Sequence, residues 1–215
     1  MQINNNKAQK WVFILVPIFY AAGVLWHALD FTLPYMMILT PYTILITAII
    51  GFYPEVRRKD STLILWIGVT FLITFALEAI GVATGLIFGS YWYGPTLGFS
   101  LFEVPLLIGI NWTLIIMGSI IIIKKVSKNI YVISLTTGLV TLLFDYVMEP
   151  VAIQYDYWTW QGGAIPLQNY IAWFIIASLF AFIHEKMRVT HKSIIPSFVV
   201  IVQLLFFLAL RLFVI

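Results

Sequence analysis

Apolar runs of about twenty residues follow one another through this sequence almost without pause, and twenty is the number a helix needs to cross a bilayer core. The hydropathy pattern predicts helices over about 11–29, 31–53, 62–80, 101–123, 130–153, 166–184 and 194–214. Only 10% of the 215 residues are charged and 62% are hydrophobic, whereas a soluble domain has about 25% charged residues. The expected fold is therefore all-α, a polytopic bundle of seven transmembrane spans, with residues 1–215 forming a single integral membrane domain. The polar head "MQINNNKAQK" is followed by a run too long and too aromatic for a cleaved signal segment, so it introduces a retained first span.

Charge sets the direction of the chain. Lys7, Lys10, Arg57, Arg58, Lys59, Lys124, Lys125, Lys128, Lys186, Arg188 and Lys192 all fall on the side of the N-terminus, which leaves only Arg211 of the twelve Lys and Arg toward the other. The positive-inside rule then puts the N-terminus in the cytoplasm, in a multi-pass protein of the cytoplasmic membrane. The net charge of +3 reflects these topology signals beside anionic lipid, and no nucleic-acid partner is expected.

The acids are biased the other way. Glu55, Asp60 and Glu185 have basic neighbours, but Asp30, Glu78, Glu103, Asp145, Glu149 and Asp156 lie toward the outer ends of spans with almost no basic partner. A carboxylate at the centre of a membrane helix costs about 2.5–3.5 kcal/mol, and such groups mark functional sites. Asp145 and Glu149, four residues apart, share a helical face. A rise of 1.5 Å per residue places Glu78 roughly 24 Å and Asp145 roughly 22 Å from the inner starts of their helices, so the two match in depth. Pro150 frees a carbonyl one turn back and should bend or end its helix. Glu103 should begin the fourth helix, where the dipole favours an acid. Gly81, Gly85 and Gly89 allow the third helix to run on to about residue 90 by close packing, or to break into a re-entrant segment.

Two outer connections, "FGSYWYGPTLGF" and "QYDYWTWQGGAIPLQN", are rich in Tyr and Trp. Such residues form the interfacial belt of many membrane proteins. They also stabilise a passing positive charge by about 0.5–2 kcal/mol each. Asn111 and Asn169 are candidates for orienting water or a carboxyl. His27 and Asp30 have the spacing of a pair at the outer end of the first span, while His184 and His191 flank a basic connection and should be solvated. Cysteine is absent, which excludes disulfides, thiolate metal sites and Cys nucleophiles. Three scattered histidines do not make di-iron boxes, and the acidic face lacks the basic residues a pyrophosphate would need. No metal or cofactor is expected.

The stretches "EAIGVATGLIFGSYWYG", "VPLLIGINW", "DYVMEPVA" and "WTWQGGAIPLQNYIAW" resemble the bacterial and archaeal membrane family of carotenoid biosynthesis proteins, whose characterised members are carotenoid 1,2-hydratases, the bisanhydrobacterioruberin hydratases among them. The resemblance covers about residues 75–175. It implies addition of water to the terminal double bond of an acyclic carotenoid, an apolar substrate dissolved in membrane lipid, and neighbouring enzymes of the same pathway as partners. On that chemistry a buried, protonated carboxyl donates a proton to carbon, and a second, ionised carboxylate stabilises the cation and takes a proton from water. Asp145 is the expected donor and Glu78 the counter-charge and base, or the reverse, with Glu149 tuning the pair. Tyr91, Trp92, Tyr93, Trp112, Trp158, Trp160 and Trp173 are expected around the end group, with Asn169 orienting the water. A proton-coupled transporter and a non-catalytic carotenoid-binding protein are the alternatives.

Overall fold

The computed structural model describes residues 3–215, with side chains from Gln9 onward. The first two residues of the polar head and the side chain of Lys7, counted above among the topology signals, lie outside that description. Seven helices follow in order: α1 (Ile3–His27), α2 (Leu33–Val56), α3 (Ser61–Thr84), α4 (Leu106–Val126), α5 (Ile130–Gln154), α6 (Leu167–Lys186) and α7 (Ile195–Phe213). Each is long and apolar enough to cross a membrane, so the chain is a multi-pass membrane protein with an all-α bundle. Helix α4 is the axis of that bundle: Leu114, Ile115, Ile116, Met117 and Ile120 have no exposed surface at all. A helix apolar all round must be enclosed all round, and α2, α3, α5, α6 and α7 enclose it.

The helix ends are written in the sequence. Asp60 accepts hydrogen bonds from the Thr62 and Leu63 amides, and Asn129 does the same for Tyr131 and Val132, satisfying donors that a helix start leaves orphaned. At the other end of α3, Gly85 adopts a left-handed φ of 68° and closes the helix, a conformation that glycine adopts without steric cost. Helix α3 therefore neither runs on to residue 90 nor breaks at Glu78. The chain doubles back, and Gly81 makes room for it: a Cβ there would stand 2.6 Å from the Phe88 ring.

Between the helices lie four short strands that the apolar pattern did not reveal. β2 (Ser100–Leu101) and β3 (Val104–Pro105) form a hairpin whose two turn residues, Phe102 and Glu103, both have positive φ. Glu103 thus sits exposed at a turn, five residues of chain having been diverted from the expected start of α4, and it caps no helix. β1 (Tyr91–Tyr93), from the α3–α4 connection, pairs antiparallel with β4 (Trp158–Trp160), from the α5–α6 connection, with Tyr91 opposite Trp160 and Tyr93 opposite Trp158.

Pro150 does not end α5, which continues to Gln154. The carbonyl a proline deprives of its partner belongs to the residue four positions earlier, here Tyr146, and Arg211 of α7 donates to it from Nη1 at 2.5 Å. The guanidinium also lies 4.5 Å from the Tyr146 ring centroid. The one basic residue that ran against the topology pattern serves this carbonyl.

The end of the bundle near the N-terminus corrects another expectation. His184 and His191 are not solvated: their Nε2 atoms meet at 2.7 Å, and His184 Nδ1 lies 2.8 Å from Glu185 Oε1. Lys124 pairs with Glu185 at 2.6 Å. Fully buried Glu55 accepts from the Lys192 and Ser193 amides and from Arg58. The α6–α7 connection folds over the bundle end and carries His191 into it.

Candidate active site

The pleat of the β1–β4 ribbon explains how the aromatic connections work. Alternate residues of a strand point to opposite faces, so Tyr91, Tyr93, Trp158 and Trp160 share the face turned into the bundle. The inward four end on two carboxylates. Tyr91 and Tyr93 donate to Glu78 Oε2, the latter at 2.9 Å, and Trp112 Nε1 of α4 donates to Glu78 Oε1 at 2.9 Å. Trp158 and Trp160 each donate from Nε1 to Glu149 Oε2 at 2.9 Å, and Asn169 Nδ2 of α6 reaches Glu149 Oε1 at 3.1 Å. One strand serves one acid and its partner serves the other, and each acid receives three donors. Burial first, and then the charge of Glu78 beside them, holds the Tyr91 and Tyr93 phenols well above their usual pKa. They remain protonated donors.

Both acids line a cavity of about 360 Å³, within the size range of small-ligand pockets. Its walls are otherwise mainly apolar and aromatic. Trp112 and Trp173 stack with ring centroids 3.4 Å apart, and both line the cavity, as do Tyr91, Tyr93, Trp158, Trp160 and Asn169. On the far side the wall reaches Phe19 and Trp26 of α1 and Leu39 and Ile46 of α2. These four side chains are exposed on the outside of the bundle, where lipid lies in a membrane protein, so the cavity reaches the bilayer between α1 and α2.

Two of the sequence-derived site residues lie elsewhere. Trp92 is on the outward face of the ribbon, 54% exposed, and does not line the cavity; its place in the alternation became visible only with the strand. Asp145 is fully enclosed and stands behind the wall, with Oδ2 held by Asn169 Nδ2 at 2.7 Å. That amide nitrogen bridges Asp145 and Glu149, which occupies the donor expected to orient water. Asp30 and Asp156 are exposed. His27 does not pair with Asp30; its Nδ1 meets the Gly23 carbonyl at 2.7 Å. Gln203 of α7, which sequence reasoning passed over, lines the cavity and is only 3% exposed. The signal was there, since it is the one amide side chain in an apolar helix.

The sequence model of the family described as carotenoid biosynthesis protein matches residues 32–214. The chain belongs to that family. Among curated members of known name, it is 26% identical over 167 residues to a bisanhydrobacterioruberin hydratase of Haloarcula japonica, an alignment covering 74% of this chain and 56% of the relative. The chain thus spans little more than half the length of that relative. No solved structure matches it. In this member of the carotenoid biosynthesis family, the match takes in every element of the site except α1.

Proposed function

We propose that the protein is a carotenoid hydratase that adds water to the terminal double bond of an acyclic carotenoid end group, without a cofactor. The observation that carries this reading is the pair Glu78 and Glu149, two carboxyls on the wall of an aromatic cavity that reaches lipid. The family and the hydratase name of the relative support the same chemistry. An unactivated alkene reacts with water only after a proton has been placed on carbon. The resulting tertiary cation then needs nearby negative charge and a polarisable wall, which carboxylates and aromatic faces provide.

Asp145 separates the two acids chemically. It shares one amide nitrogen with Glu149, and two carboxyls so joined away from water hold a proton between them. Glu149, the member on the cavity wall, delivers that proton to the alkene, and Asp145 behind it replenishes the pair. Glu78, with its three donors, is the standing counter-charge for the cation. The cavity takes an end group only, and the polyene tail runs out between α1 and α2 into the bilayer. The N-terminus faces the cytoplasm and the site lies toward the outer leaflet, close to other enzymes of the carotenoid pathway.

Expression in a lycopene-producing bacterium tests the reading. The expected result is a more polar pigment heavier by one water, whose oxygen carries label from labelled water and none from labelled dioxygen. Unchanged lycopene retained on the purified protein would support a binding role instead, and unchanged lycopene with none retained would remove the proposal for this substrate.

A further inference from the structure

The carboxylate oxygens facing the cavity are already engaged by aromatic and amide donors, which leaves open where the reacting water is held. Three buried acceptors have no hydrogen-bond partner among the described residues: His27 Nε2, Asn111 Oδ1 and Gln203 Oε1. All three residues line the same cavity. His27 is 8% exposed and Gln203 3%.

The tautomer of His27 follows from its other nitrogen. Nδ1 lies 2.7 Å from the Gly23 carbonyl, and a carbonyl only accepts, so Nδ1 carries the hydrogen and Nε2 presents a lone pair. The ring is fixed edge-on against Tyr155 and Phe206, at centroid distances of 4.9 and 5.6 Å. Phe206, packed on His27, lies three residues from Gln203 in α7, and residues so spaced are neighbours on one helix face.

We infer that His27 Nε2 and Gln203 Oε1 hold the two hydrogens of the water that is added, and that His27 Nε2 takes its proton. This rests on the hydration reading above. A water that donates its hydrogens to fixed acceptors turns its lone pairs outward, toward the cation, and buried waters ordinarily have two to four polar partners. The steps balance. The carboxylic proton of Glu149 forms a C–H bond with the terminal alkene as the π electrons leave the other carbon cationic. The water oxygen forms the C–O bond, its proton passes to Nε2, and the imidazolium returns a proton to the carboxylate. Nothing is oxidised or reduced.

The test separates water capture from protonation, in membranes supplied with lycopene in deuterated buffer. His27→Phe keeps the ring packing and removes Nε2, and Gln203→Leu removes one acceptor. The expected result is hydration lowered about 100-fold in His27→Phe and about 10-fold in Gln203→Leu. The recovered lycopene should still acquire deuterium at its terminal CH, because a cation that finds no water gives back a proton. Undiminished hydration in both variants, or hydration and exchange lost together, would overturn the inference. A native chain that neither hydrates nor exchanges would overturn the hydration reading itself.

Discussion

Tyr93 and Trp158 face each other across the β1–β4 ribbon, yet the hydroxyl of one and the indole N–H of the other end on different carboxylates, Glu78 and Glu149. The same crossing occurs at Tyr91 and Trp160. The ribbon is therefore a spacer that fixes the separation of the two acids while supplying four of their six donors. Removing one donor while keeping an aromatic ring in its place should disturb chemistry more than fold. Tyr91→Phe and Trp160→Phe are each expected to lower hydration about 10-fold, the cost of one charge-assisted hydrogen bond. Trp92→Phe, on the outward face, should leave it unchanged. Pigment conversion per unit of membrane-inserted protein measures all three.

The acids themselves are expected to rank. Glu78→Gln and Glu149→Gln should each reduce hydration by about 10²–10⁴-fold. Asp145→Asn should reduce it less, because its carboxyl stands behind the wall and acts through Glu149. All three variants should reach the membrane at normal levels. Wild-type turnover in both glutamate variants would remove the mechanism. Loss in Asp145→Asn alone would restore Asp145 as the donor expected from the sequence.

The Arg211 guanidinium and the Tyr146 carbonyl give a thermodynamic test. Arg211→Met strands a carbonyl at the edge of the bundle, which should cost about 1–3 kcal/mol and lower the midpoint of thermal aggregation in detergent. Pro150→Ala gives α5 its missing N–H at the position that bonds Tyr146. The double variant should recover most of the loss, whereas additive losses would show that the arginine matters for another reason.

Alkali should act on the tyrosines in a particular order. Burial pushes the Tyr157 phenol up to about 12, and burial and then Glu78 hold Tyr91 and Tyr93 well above their usual value. An unfolded chain releases these protons near pH 10. The unfolded state therefore binds fewer protons than the folded one above that pH, and stability should fall as pH rises through it. Phenolate absorbance should show part of the eleven tyrosines silent until the fold is lost. A single titration of all eleven near pH 10 in folded protein would contradict the enclosed ribbon.

Seven spans were legible in the sequence because hydropathy over twenty residues is a property of the segment alone. The acids were legible for a related reason: a carboxylate in an apolar run has no local excuse. The ribbon was not, because "YWY" and "WTW" are too short to show a period of two and pair only after α4 and α5 have intervened. That blindness misplaced Trp92. His184 and His191 look solvated in the sequence because the α6–α7 connection is polar until it folds over the bundle end. Gln203 and His27 share a wall by virtue of the α1–α7 packing, which no spacing within either helix announces.

The order of the chain gives the ribbon a consequence for biogenesis. Tyr91 and Tyr93 are synthesised before α4, and Trp158 and Trp160 only after α5 has returned to the same face of the membrane. Until that second pass is complete, no partner strand fixes the tyrosines above Glu78, and Glu149 has neither indole. A chain halted midway through insertion therefore carries two acids short of their donors, and the paired arrangement arises only once the lipid-embedded protein is nearly whole.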